Sequence, residues 1–145
     1  MASGFYNRGL FEMGRGMVNL SNDTIKVALC STGYTFDKDH SVWSTAVAGP
    51  LSNQITGAWY TAGGQALSNQ AWIQDDTNDW CKFDADDALW VSATIANLRY
   101  AVYYNDTHAS DVLLYCWDMG SAQSASAADL HLSYPTNGIF VWQQR

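Results

Sequence analysis

W-C-K-F-D-A-D-D-A-L-W-V-S-A-T-I-A-N-L-R-Y-A-V-Y-Y-N-D, residues 80 to 106, holds three apolar runs of strand length: Trp80 to Phe83, Leu89 to Ile95 and Leu98 to Tyr104. In the second run Leu89, Val91, Ala93 and Ile95 alternate with Trp90, Ser92 and Thr94, the period of two that a pleated strand imposes. Leu98, Tyr100, Val102 and Tyr104 repeat that period. Asp84-Ala85-Asp86-Asp87 separates the first run from the second, and only Ala96-Asn97 separates the second from the third. A two-residue link predicts a tight hairpin, with Asn97 supplying the positive φ such turns need. The core is therefore read as β-sheet.

Working outward, Thr24 to Ser31 is a strand in which Ile25, Val27 and Leu29 alternate with Lys26, Ala28 and Cys30, entered through the turn Asn22-Asp23. Before it, Phe5 to Gly16 carries Phe5, Tyr6, Leu10 and Met13 at helical spacing. Gly9 and Gly14 each cost roughly 1 kcal/mol against Ala, so residues 1–20 are expected to form a short helix or arm that depends on packing. Gly33 to Ile55 reads as a loop with one short strand around Val42 to Val47. Gly57 to Gly64 bends sharply, and Gln65 to Asn69 and Ala71 to Gln74 are short strands.

Beyond the central stretch, Thr107 to Asp111 is a polar loop. Val112 to Asp118 is apolar on both faces, as in a strand inside a sandwich or against a neighbouring chain. Gly120 to Ala127 (G-S-A-Q-S-A-S-A) is small and polar and reads as a loop. Ala128 to Tyr134 and Gly138 to Gln143 are two more strands, joined by Pro135-Thr136-Asn137. Eight to ten short, evenly spaced strands predict an all-β fold, an antiparallel sandwich or jelly-roll-like barrel with a short N-terminal helix or arm, over a single domain of residues 1–145.

The chain has 145 residues, 48% hydrophobic and only 14% charged, with 7 Trp, 8 Tyr and 5 Phe. A globular chain of this length buries about 68–70% of the surface its extended form exposes, so a core forms without staples. So many rings among so few charges point to apolar surface covered by another chain. The net charge of −7 argues against direct nucleic-acid binding, which draws on clustered Lys and Arg. No window of about 18 apolar residues offers a membrane span. Cys30, Cys81 and Cys116 form no C-x-x-C pair, which favours buried free thiols and a reducing compartment of synthesis.

Three constellations bear on chemistry. Asp75, Asp76, Asp79, Asp84, Asp86 and Asp87 are close in sequence, but counted from Asp75 or Asp84 they lack the glycine and glutamate of an EF-hand loop. Inter-strand turns using Asp and Asn side chains account for them. The same carboxylates, with Trp80 and Trp90 nearby, invite comparison with a glycosidase pair, yet the chain has a single glutamate, Glu12. His40, His108 and His131 accompany no nucleophile elbow, and G-R-G-M-V-N at Gly14 lacks the third glycine of a phosphate-cradling loop. The expectation is no catalysis, no cofactor and no metal site. The aromatics remain: Trp43, Trp59 and Tyr60 lie in weakly patterned segments, and we read them, with Phe5 and Tyr6, as candidate interchain contacts. Sugar stacking is the alternative use of such rings.

N-D-T-I-K-V-A-L (Asn22 to Leu29), Y-T-F-D-K-D-H (Tyr34 to His40), Y-T-A-G-G-Q-A-L (Tyr60 to Leu67), D-D-T-N-D (Asp75 to Asp79), F-D-A-D-D (Phe83 to Asp87), R-Y-A-V-Y-Y-N-D (Arg99 to Asp106) and T-N-G-I-F (Thr136 to Phe140) together resemble small structural proteins of tailed-bacteriophage virions, among them capsid cement or decoration proteins. The resemblance implies a mostly β, jelly-roll-like protein made in the host cytoplasm. It further implies a homodimer or homotrimer bound to the major capsid protein on the outer capsid surface, between capsomers. It carries no signature for the capsid-contacting residues. Two alternatives stand beside it: another virion part, such as a head-fibre base, tail component or glycan-binding adhesin, and a carboxylate-dependent cell-wall glycosidase.

Overall fold

Ala88–Asn105 is one strand of 18 residues, and the hairpin expected at Ala96-Asn97 does not form. Asn97 does adopt a positive φ of 58°. Its carbonyl accepts the Thr32 N–H at 2.9 Å, and the chain continues in the same direction. The pairing register slips across this point, as it does between Trp90 and Ala93, where Ser92 has φ 51°. These are β-bulges, and each inserts a residue that changes which side chains face inward. Trp90, Ala93, Ile95 and Leu98 are consequently all buried, while Leu89 and Val91, expected to share a face with Ala93 and Ile95, are 38% and 58% exposed.

The computed structural model describes residues 3–44 and 49–143. In chain order the elements are β1 (Gly4–Phe5), α1 (Asn7–Gly14), β2 (Ile25–Ser31), a single 3-10 turn (Leu51–Asn53), β3 (Gln65–Ala66), β4 (Ala71–Asp75), β5 (Trp80–Asp84), β6 (Ala88–Asn105), β7 (Val112–Leu132) and β8 (Phe140–Gln143). The turn that reverses the chain falls after Asn105, whose buried side-chain oxygen accepts the N–H groups of Thr107 and His108. The segment Gly120 to Ala127, expected as a loop, lies within β7, which runs for 21 residues. Its small polar residues have no face of their own; the neighbouring β6 imposes the strand by pairing with it. Of the strand expected at Val42 to Val47, Val42 bridges to Val112, and residues 45–48 lie outside the described residues.

The strands form two antiparallel sheets, one ordered β1-β7-β6-β2-β3 and the other β4-β5-β8. Ile25, Val27, Leu29, Tyr103 and Leu114 on one face of the larger sheet share a core with Phe83 and Phe140 of the smaller, with Trp72 packed against it. On the opposite face Ala28, Cys30, Tyr100, Val102, Tyr104, Leu113 and Cys116 lie under Tyr6, Tyr34 and Trp43. The two-sided apolarity of Val112 to Asp118 is thus met by layers of the same chain. An antiparallel sandwich with a short N-terminal helix is what this sequence builds.

The helix sits on β7 through Gly9, where a Cβ would collide with the Leu113 carbonyl oxygen. The glycine that weakens α1 in isolation is what lets it approach the sheet. Glu12, buried on the inner side of α1, accepts from Arg8 Nε at 2.6 Å and lies 3.5 Å from Arg15 and 3.9 Å from His108 of the β6–β7 turn. The Arg8 hydrogen bond is the main cause of a carboxyl pKa below the usual range, with further contributions from the Arg15, Arg8 and His108 charges.

Candidate contact surface

The bend from residue 57 to 64 displays Trp59, which is 76% exposed, more than any other large hydrophobic residue described. Its φ is 65°, a conformation that a bulky residue avoids unless its surroundings enforce it. The enforcement comes from both flanks. Ala58 accepts the Thr94 N–H of β6 at 3.2 Å. The Tyr60 hydroxyl accepts the Leu29 N–H at 3.0 Å and donates to Gln54 Oε1 at 2.9 Å. Gln54 Oε1 also accepts the Gly63 N–H at 2.5 Å, and the Tyr104 hydroxyl donates to the Gly63 carbonyl at 2.7 Å.

Gly64, with φ 76°, brings the loop so close to β2 that a Cβ would overlap the Val27 carbonyl oxygen. Burial of Tyr60 and Tyr104 pushes both phenols far above their ordinary pKa, so they remain neutral donors. Trp43 stacks on the Tyr104 ring at 5.0 Å and 8° between planes, backing the hydroxyl that holds Gly63. The result is a flat apolar ring held outward on a rigid base, with its conformational cost already met before any partner arrives.

Two of the five predicted contact residues need correction. Tyr6 is fully buried, its hydroxyl 2.8 Å from that of Tyr34, which is in turn 3.1 Å from His40 Nδ1. Trp43 is 7% exposed. Both belong to their own chain's core, because the irregular segments that carry them form the layer over the second face of the large sheet. Phe5 is half-buried between the sheets, with its ring 5.0 Å from Tyr115 and 4.9 Å from Phe140. Since β1 and β3 are opposite edges of the large sheet, Phe5 and the loop leading into β3 do not form one surface. Trp59 and Tyr60 stay together, one as display and the other as anchor.

A second apolar feature is a groove of about 270 Å³ between the end of α1 and the small sheet, lined by Met13, Val18, Leu20, Trp72 and Trp142. The sequence reading passed over it. Its signal was the shared parity of Phe140 and Trp142, whose rings meet Trp72 at 6.2 Å and 5.6 Å.

Three of the carboxylates weighed for chemistry, Asp75, Asp84 and Asp86, make contacts within their own turns. Asp75 accepts the N–H groups of Thr77 and Asn78, Asn78 Nδ2 and Trp80 Nε1, closing the β4–β5 turn. The Asn78 side chain is the leading cause of its lowered pKa. Asp86 accepts from Asn69 Nδ2 at 2.6 Å, and Asp84 accepts the Ala85 N–H while lying 3.8 Å from Lys82. Among the described residues no three His, Cys, Asp or Glu side chains gather as a metal site. Cys30 and Cys116 are buried free thiols and Cys81 is partly exposed. No protein-family model, curated protein or solved structure matches this chain.

Proposed function

We propose that this chain is a structural subunit of a tailed-phage virion, a decoration or cement protein that binds the outer capsid lattice between capsomers and reinforces the expanded head without catalysing a reaction. The observation that carries the reading is Trp59: an aromatic side chain held in an unfavourable backbone conformation, 76% exposed, on a loop pinned from four directions. Rigid, protruding aromatic anchors are the residues on which protein interfaces concentrate their energy. A charge of −7 is compatible with an outer face and unfavourable beside packaged DNA. Many copies that each bridge neighbouring capsid subunits bind avidly even when each contact is modest, and whatever binds only the assembled shell stabilises it.

The test is co-sedimentation of purified protein with empty heads of the encoding phage, expanded and unexpanded. Binding to expanded heads alone, weakened by Trp59→Ala, is expected. Binding to neither form, with retention instead on cell-wall glycan, would replace this reading with an adhesin.

A further inference from the structure

His108, in the β6–β7 turn, lies between two partners that favour opposite protonation states. Its Nδ1 accepts the Ser110 N–H at 3.2 Å, and its Nε2 lies 3.9 Å from Glu12 Oε2 on the inner side of α1. The imidazole is only 12% exposed. A ring nitrogen that accepts a backbone N–H carries no proton, so the neutral ring holds its proton on Nε2, the nitrogen turned to the carboxylate. At 3.9 Å that contact is too long for a hydrogen bond. Protonation removes the acceptor. Nδ1–H then faces the Ser110 N–H, donor against donor, while a full positive charge arises beside a carboxylate that is 2% exposed.

The charges around the ring set the direction of the response. Glu12 of α1 is flanked by Arg8 at 2.6 Å and Arg15 at 3.5 Å. The Arg8 hydrogen bond holds its carboxyl below the usual range, so Glu12 stays ionised between about pH 5 and 8, where histidines change charge. In the turn itself Asp106 is paired with Lys26 of β2 at 3.1 Å, and Asp111 donates its backbone N–H to the His108 carbonyl at 2.9 Å. Among the described residues no other carboxylate pairs with the ring. We propose that His108 is a two-position pH switch: neutral, it closes the β6–β7 turn on Ser110; protonated, it leaves Ser110 and closes on Glu12, fastening the turn to α1. The same turn leads into the cover of the second sheet face. The Asp111 carbonyl accepts the Trp43 N–H at 2.9 Å, and the Leu113 N–H donates to the Ser41 carbonyl at 3.0 Å. Acid therefore trades the turn's own closure for a contact with the helix, beside the segment that seats Trp43.

The inference does not depend on the virion reading, and its test is an NMR titration of the isolated protein from about pH 8 to about pH 5. Nitrogen-15 correlation spectra of the His108 ring are expected to show the Nε2–H tautomer at the alkaline end and the doubly protonated ring at the acid end. The Ser110 amide proton is expected to move upfield in step, as its hydrogen bond is lost. In His108→Asn, whose Oδ1 keeps an acceptor near Ser110 and takes up no proton, the Ser110 amide is expected to stay fixed. In Glu12→Gln, where no carboxylate draws the charged ring, the same changes are expected at lower pH. An Nδ1–H tautomer at the alkaline end, a Ser110 amide that does not follow the ring, or one that moves equally in His108→Asn overturns the proposal. So does a midpoint indifferent to Glu12→Gln.

Discussion

Trp43 and Trp59 lie in the same kind of weakly patterned sequence and end in opposite environments. One is stacked on Tyr104 and 7% exposed, the other stands 76% exposed. Trp43→Ala should therefore cost about 3–5 kcal/mol in denaturant unfolding, from lost burial and the cavity left behind. Trp59→Ala should stay within about 0.5 kcal/mol, or gain slightly from relief at the positive φ. The thiols divide similarly. Burial raises Cys116 to about 12 and pushes Cys30 higher still. A group whose folded pKa lies above its unfolded value of about 8.5 stabilises fully below that value and loses its contribution as pH rises. Melting temperature should thus decline as pH rises from about 8.5 towards 12. At pH 8 a thiol reagent should label Cys81 in the native protein and reach Cys30 and Cys116 only on unfolding.

At the level of elements, the long strand β6 depends on its bulges. Asn97 occupies the left-handed region, where β-branched residues are strained. Asn97→Val should lose about 1–2 kcal/mol while Asn97→Gly stays near neutral, measured by urea unfolding with comparison of midpoints. The alternating runs at β2, β4, β5 and the start of β7 were legible in the sequence because one or both faces are apolar and the residue period shows it. The sequence marks Asn97 as a residue suited to positive φ, which it adopts, but does not mark it as a bulge. A turn and a bulge use the same backbone conformation, and only the distant Thr32 N–H decides between them. The edge from Gly120 to Ala127 was illegible for a different reason: strand structure there is imposed by β6, and small polar residues record no imprint of it.

For the molecule as a whole, α1 is fastened by Gly9 against Leu113 and by Glu12 among Arg8, Arg15 and His108. Because Glu12 titrates below the ordinary glutamate value of about 4.3, its stabilisation is present above that pH and is lost as pH falls through the lower folded value. Glu12→Gln should lower the melting temperature at pH 7 and flatten its decline in acid, seen by circular dichroism. Of the five candidate contacts, the sequence singles out Trp59 and Tyr60 because both sit beside paired glycines in a patternless bend. It could not separate them from Tyr6 and Trp43, because the layer that buries those two is itself irregular chain.

The virion reading meets its most direct test in a cryo-EM map of the mature particle. The account requires a two-sheet antiparallel sandwich on the outer capsid surface between capsomers, with the loop of Trp59 turned towards the major capsid protein. A map with no such density on the head, or with Trp59 facing solvent away from every neighbour, would contradict it.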